Sequence, residues 1–229
     1  MTGWITHSMR EPSSYGGTMG ATEVSNPIFA RFFDRFAAKD RGRGESELRR
    51  ELLAGLSGRV VEVGAGNGIN FEHLPTSVDE LVAVEPEPYL RRAAEKAART
   101  VPVDVRVIDG TADNLPLETG GANAVVVAGV LCSVPDPETA LCELRRVLRA
   151  GGELRFYEHV RSRRPRFARY QYLAAHVWPH LMGGCRPNRD TLAAIERAGF
   201  RIERCRGFGF PYDARAYPVL PRIIGAARA

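Results

Sequence analysis

Three glycines at alternate positions, Gly64, Gly66 and Gly68, follow directly on the apolar run Val60-Val61-Glu62-Val63. Glycine lets a backbone turn sharply and come close to a ligand. An apolar strand running into such a turn, with a helix N-terminus behind it, offers free N–H groups to a nucleotide-like ligand. The spacing argues against two common nucleotide sites. The dinucleotide pattern G-x-G-x-x-G fails because the third glycine comes one residue early and position 69 is isoleucine. The phosphate-loop pattern fails for want of its Lys-Ser/Thr pair. Glu62 would repel a pyrophosphate but suits a cationic ligand. Glu85, 17 residues after Gly68, closes the next apolar strand. A carboxylate there can accept both hydroxyls of a ribose.

A second group of reactive residue types lies further on. Cys132 and Ser133 follow the apolar run 122–129, and Glu158 and His159 stand near the end of the run 153–160. His159 has the chemistry to take a proton or, as an imidazolium, to attract an anion; a histidine held in a structural hydrogen bond is the plainer reading. Glu158 suits orienting His159 or binding a helix terminus as well as acting itself. Cys132 reads as packing before it reads as a nucleophile. The four cysteines, Cys132, Cys142, Cys185 and Cys205, form no C-x₂-C pair and stand at no metal-ligand spacing from a histidine. Reduced, packed thiols and no metal are therefore expected.

The elements that must position these groups alternate. Arg59–Val63, Glu80–Glu85, Val103–Asp109, Ala122–Gly129 and Glu153–Val160 read as strands. Helical stretches are expected at 69–73, at 88–99 and from the cap Asp136 to Arg149, where Gly151-Gly152 stops the helix. The continuous apolar run of Ala122–Gly129 fits a strand buried on both faces. A helix at about 189–198 and two strands, Arg201–Arg206 and Arg222–Ala227, follow; the last two lack a helix between them and read as an antiparallel pair. The pattern predicts an α/β fold: a doubly wound, mainly parallel, seven-stranded Rossmann-like sheet. Before it, Asn26 caps a helix with an apolar stripe of Phe29, Phe32, Phe33 and Phe36, and a second helix runs over 45–54. The organisation expected is a leader at 1–25, a helical cap at 26–56 and one catalytic domain at 57–229.

Composition narrows the class of function. The chain has 229 residues, 44% hydrophobic and 26% charged, enough to bury a core without disulfides. No apolar run of about 18 residues exists, so stable membrane insertion is not expected. Residues 1–20 lack the apolar core of a secretion signal, which makes a cytoplasmic location the expectation. The net charge is +5, but only Lys39 and Lys96 are lysines, so 32 − 2 = 30 of the basic residues are arginine. Arginine and alanine in place of lysine point to a GC-rich coding sequence rather than to a surface built for nucleic acid.

Taken together, the motifs resemble those of the class I S-adenosylmethionine methyltransferases. Glu62-Val63-Gly64-Ala65-Gly66-Asn67-Gly68 is similar to their first motif, and Glu85 to their ribose acid. Gly110-Thr111-Ala112-Asp113-Asn114-Leu115-Pro116-Leu117 is similar to their adenine loop, and Arg149-Ala150-Gly151-Gly152 to the turn before the fifth strand. The resemblance implies S-adenosylmethionine as cofactor, leaving as S-adenosylhomocysteine. It would be held by Glu62, Gly64, Ala65, Gly66, Gly68, Glu85, Pro86, Thr111, Ala112, Asp113 and Gly129. Thr111 departs from the pattern, standing where many members carry an acid; Asp113 or the backbone would make that contact.

Leu131-Cys132-Ser133-Val134, Phe156-Tyr157-Glu158-His159-Val160 and the Trp178 to Gly184-Cys185 segment resemble the methyltransferase-like thiol S-methyltransferases. That resemblance implies methylation of a small, fairly apolar acceptor, a thiol before others. Phe32, Phe33, Cys132, Ser133, Trp178 and Cys185 would line the acceptor site, with His159 and Glu158 as the catalytic candidates. O-, N- or C-methylation of a natural product or lipid head group is the alternative enzyme reading. A cofactor-binding regulatory module is the alternative without catalysis.

Overall fold

The computed structural model describes residues 44–211 and 217–229, together with Pro27, Ala30, Arg31 and Asp34, which are helical. The expected leader, and Phe32 and Phe33 of the expected acceptor site, lie outside the described residues.

Among the described residues, one seven-stranded sheet runs in the order β3-β2-β1-β4-β5-β7-β6. Its strands are β1 (Gly58–Val63), β2 (Val78–Val84), β3 (Asp104–Ile108), β4 (Ala122–Ala128), β5 (Leu148–His159), β6 (Arg201–Gly209) and β7 (Pro221–Arg228). The first five pair in parallel, with Val63 opposite Val84 on one side and Val127 on the other. β7 runs antiparallel to both β5 and β6 and lies between them. Parallel central strands have no solvated face, and Val60, Val61 and Val125 to Val127 are buried. Strand order reverses between β1 and β4. Ligands of open α/β sheets bind in the crevice at such a point, beyond the carboxyl ends of the strands.

Helices cover both faces. α1 (Ser46–Leu53), α2 (Pro88–Ala98), α3 (Pro137–Val147), α4 (Pro165–Ala174), α5 (Trp178–Leu181) and α6 (Thr191–Arg197) follow in chain order. Side chains alternate across a strand. Val61, Val63, Val125 and Val127 accordingly pack with Leu141 and Leu144 of α3 and Ile195 of α6. Val60, Ala124 and Val126 pack with Leu48, Leu52 and Leu53 of α1 on the other face. An eight-residue helix is marginal by itself. Three buried leucines, each worth about 1.5–3 kcal/mol of burial before entropy, hold α1 in place.

Local chemistry sets the helix starts. Glu87 accepts from Leu90 N at 2.8 Å ahead of Pro88, and Asp136 accepts from Glu138 N at 2.9 Å ahead of Pro137. Two boundaries differ from expectation. α3 ends at Val147 rather than Arg149, because Leu148 already pairs with Ala122 and begins β5. Gly151-Gly152 therefore lies inside the strand, where Gly151 takes φ +68° beside the register shift, instead of capping the helix. The turn expected as a helix at 69–73 is a single 3-10 turn, Phe71–His73.

Candidate active site

Gly64, Gly66 and Gly68 turn the chain away from the end of β1, all with positive φ, at +70°, +59° and +78°. A Cβ on Gly64 would come within 2.5 Å of Val130 Cγ2, so the turn can lie against the segment after β4 only without a side chain there. Glu85, just past β2, is buried. Its Oε2 accepts from Gly66 N at 2.8 Å and its Oε1 from Glu87 N at 3.0 Å. The carboxylate thus fixes the glycine turn to the second strand, and each oxygen keeps a lone pair for a ligand hydroxyl. Burial raises its pKa against the pull of those two N–H groups.

Glu62 sits inside β1, fully enclosed, with Asn70 Nδ2 donating to its Oε1 at 2.6 Å. Burial pushes its carboxyl up to about 7, opposed by the Asn70 hydrogen bond and by Arg49. Behind it runs a chain of polar contacts. Arg49 donates to Asn70 Oδ1 at 2.6 Å and to Glu45 at 2.9 Å, and Glu45 accepts from Tyr157 of β5 at 3.3 Å. Asn67, on the glycine turn, donates to Asp34 at 2.8 Å, while its own Oδ1 is buried with no hydrogen-bond partner among the described residues. Tyr89 donates to the other oxygen of Asp34 at 3.3 Å.

The remaining expected cofactor residues lie on the segments that follow β1, β2, β3 and β4. Ala65 and Ala112 are buried, and Pro86 lies between Glu85 and the Glu87 cap. Thr111 O accepts from Asn114 N at 3.2 Å, so the backbone closes that turn while Asp113 stays exposed. Gly129, at the end of β4, has φ +73° and open space where a Cβ would lie.

The groups at the ends of β4 and β5 converge. Glu158 is buried, its Oε1 accepting from Val130 N at 2.9 Å and Leu131 N at 3.0 Å, its Oε2 from Cys132 N at 3.0 Å. Burial pushes this carboxyl well above the usual range, and the three N–H donors pull the other way. It makes no bond to His159; among its expected roles, the geometry matches the binding of a backbone turn. His159, the last residue of β5, has Nδ1 at 3.4 Å from Cys132 Sγ and at 3.4 Å from Cys185 Sγ. The two sulfurs are 3.7 Å apart, and Ser133 Oγ lies 3.5 Å from Cys132 Sγ. The Cys185 hydrogen bond and burial push the Cys132 thiol up to about 12. Val219, Trp178, Met182 and Tyr217 pack around the two sulfurs.

Three devices assemble this cluster from distant parts of the chain. Gly184, at φ +83°, brings its backbone against the turn, where a Cβ would meet Ser133 O at 2.7 Å. Arg189 donates to Leu131 O at 2.6 Å and to Val134 O at 2.7 Å. Gln171 of α4, fully buried, donates to the carbonyls of Val160, Pro187 and Pro218. Asn70, Arg49, Gln171 and Arg189 carry no sequence signal of these roles. Asn70 reaches back 8 residues to Glu62, and each of the other three makes contacts more than ten residues away. The meeting of Cys132, His159 and Cys185 is equally invisible in their spacing, which pointed away from any ligand set.

The residues present fit a cationic nucleoside. The ends of β1, β2 and β4 and the turns after them carry an enclosed carboxyl in Glu62, free lone pairs on Glu85, a buried acceptor on Asn67 that has no partner among the described residues, and open space at Gly129. Comparison with known proteins agrees. Residues 61–156 match the family described as a methyltransferase domain. Thiol S-methyltransferase TMT1B of Homo sapiens is 34% identical over 184 residues, spanning 76% of this chain and 73% of its own. Its counterpart from Mus musculus is 33% identical, spanning 88% and 87%. A SAM-dependent methyltransferase from Thermotoga maritima superposes with a TM-score of 0.64 at 24% identity, over 88% of this chain and 98% of that one. A geranyl diphosphate methyltransferase solved with SAM gives 0.63 at 14% identity, over 90% and 93%. These two share the fold. The chain belongs to the S-adenosylmethionine-dependent methyltransferases, in the family that contains the thiol S-methyltransferases.

Proposed function

We propose that this enzyme methylates a small, fairly apolar thiol. The observation that carries the reading is the cluster at the ends of β4 and β5, where apolar side chains pack around two sulfurs and His159 stands within reach of both. Glu158 is committed to three backbone N–H groups, so among the described residues near the sulfurs His159 is the one proton acceptor free of such a duty. An alcohol or protonated amine needs a strong general base. A thiol, with an ordinary pKa of about 8.5, needs only a modest shift toward thiolate. The names of the curated relatives favour the same acceptor.

S-adenosylmethionine supplies a methyl group on a sulfonium, already a strong electrophile. The protein binds, aligns and excludes water. Glu62 would hold the cofactor's cationic amino-acid end, Glu85 its ribose, and the Thr111–Asp113 turn its adenine. The helix carrying Asp34 covers the glycine turn through Asn67 and Tyr89. Phe32 and Phe33, expected on the same helix, would add apolar cover. His159 favours the thiolate form of the acceptor, and Trp178, Cys132, Ser133 and Cys185 shape its pocket. No helix among the described residues is long and apolar enough to cross a membrane. A reducing, cytoplasmic setting and a small-molecule rather than nucleic-acid acceptor suit the enclosed thiols.

A panel of matched thiols, alcohols, phenols and amines, read as S-adenosylhomocysteine formed, tests the reading. Thiols should exceed the matching alcohols by more than about 100-fold, the scale of unassisted against assisted proton removal. His159→Ala should cut turnover by a similar factor and leave S-adenosylhomocysteine affinity unchanged. A phenol or amine preferred over every thiol would replace the thiol assignment.

A further inference from the structure

We infer that Cys132, His159 and Cys185 form a binding site for a soft divalent metal ion such as zinc, with its fourth position open to the acceptor thiol. The inference rests on the thiol reading above and supplies its means of activation.

The geometry is that of a tetrahedral ligand set. With Zn–S near 2.3 Å and Zn–N near 2.0–2.1 Å, tetrahedral angles put two sulfurs about 3.8 Å apart and sulfur and nitrogen about 3.5 Å apart. The observed separations are 3.7 Å for Cys132 and Cys185, and 3.4 Å from each sulfur to His159 Nδ1. Among the described residues, this is the group of cysteine, histidine and acidic side chains whose donor atoms stand close enough to share one ion. Two thiolates and an imidazole are soft ligands that suit zinc and exclude magnesium or calcium. Three protein ligands with a vacant fourth position is the pattern of catalytic rather than structural zinc.

The surroundings fit a charged centre. His159 is partly exposed, which leaves an approach for the ion. The peptide N–H of Cys132 is anchored on Glu158, and Arg186 N donates to Cys132 O at 2.8 Å, so this ligand stands on a fixed backbone. Trp178, packed against the cluster of Cys132, Cys185 and Val219, has a buried Nε1–H with no acceptor among the described residues. On binding, the ion displaces the protons of Cys132 and Cys185 to solvent. The two thiolates neutralise its charge, so an incoming acceptor can bind as a thiolate, its proton passing to solvent rather than to His159, whose Nδ1 then holds the ion. Methyl transfer then makes the new S–CH₃ bond as the sulfonium S–CH₃ bond breaks, and the neutral thioether leaves the ion readily.

Cobalt(II) is the probe, because thiolate coordination gives it a near-ultraviolet charge-transfer band and a tetrahedral site gives strong visible bands. The full chain, reduced and freed of metal with a chelator, is titrated with cobalt(II) and then with zinc. One equivalent should develop both sets of bands, and zinc should remove them. Ethanethiol added without cofactor should shift the charge-transfer band. Cys132→Ser with Cys185→Ser should abolish it. His159→Ala, at a partly exposed position, keeps the test open where the double variant fails to fold; it should weaken cobalt binding by at least about tenfold. No charge-transfer band, a band unchanged in the variants, no response to ethanethiol, or a Cys132–Cys185 disulfide re-forming under the assay conditions would each overturn the site. A cobalt site intact in protein that methylates no thiol would instead count against the acceptor assignment of the previous section.

Discussion

Glu62 shows how one enclosed carboxyl can couple folding to cofactor binding. Its pKa of about 7 in the folded chain exceeds the ordinary 4.5 because burial disfavours the charge. A raised folded value means that the protonated form favours the fold. That contribution is present below about 4.5 and is lost as the pH climbs to about 7. Melting curves of ligand-free protein should therefore show a fall in stability across this window, on the order of a few kcal/mol from this group. Glu62→Gln, which keeps an oxygen for Asn70, should flatten the fall. A cationic cofactor reverses the preference, so S-adenosylmethionine affinity in the native enzyme should rise through the same window and that of the variant should not. Indistinguishable pH profiles for the two proteins would remove Glu62 from the cofactor site. The residue was legible in the sequence, since an acid two positions before Gly64 has few structural reasons to be there. Asn70 and Arg49, which pull its carboxyl down against the effect of burial, were not, because their side chains come near Glu62 only through the fold.

At the scale of elements, the strand ends were readable and the loops that close over them were not. Period and capping residues placed β1, β2, β4 and β5 to within a few residues, and with them Glu85, Cys132 and His159. The entry of Leu148 into β5 was missed, since pairing with Ala122 overrode the local helical pattern, and the short helix expected at 69–73 is reduced to one 3-10 turn. Missed too was the approach of the 183–185 segment to the turn after β4, which depends on what Gly184 lacks rather than on what it carries. Gly184→Ala tests that approach. A side chain at φ +83°, facing Ser133 O at 2.7 Å, should cost about 1–3 kcal/mol and push Cys185 away from Cys132. We expect a higher KM for the acceptor and an unchanged dissociation constant for S-adenosylhomocysteine. Equal losses on both sides would show that the segment serves the whole domain rather than the acceptor pocket.

The whole molecule divides into a parallel half, β1 to β5, and an antiparallel edge. The alternation of strands and helices made the parallel half plain, and the missing helix between the last two strands signalled the change of direction. That β7 would slip between β5 and β6 was not visible, because sheet order depends on which strand best fills the open edge of β5. Gly225 marks that fit. A Cβ there would meet Arg204 O at 2.4 Å and the Phe156 ring at 2.6 Å, so β6, β7 and the core under β5 close on a position without a side chain. Gly225→Val should cost about 2–3 kcal/mol and lower Tm by about 4–12 °C. The loss should appear as one cooperative transition by calorimetry. A separate early transition would mean that the antiparallel edge unfolds independently.

The inserted position of β7 also governs the order of events during synthesis. Strands β1 to β5 can pair with one another as they leave the ribosome, and the cofactor crevice between β1 and β4 is complete once β4 is made. β6 has no neighbour until β7 arrives, because each of its pairings is to β7. Tyr217 and Val219, which pack beside Cys132 and Cys185, precede β7 directly. The nascent chain thus acquires its nucleoside-binding half before Tyr217 and Val219 can close over its two sulfurs. A ribosome stalled between β6 and β7 would carry a species able to hold the cofactor yet unable to enclose an acceptor, with the edge of β5 exposed to whatever strand comes first.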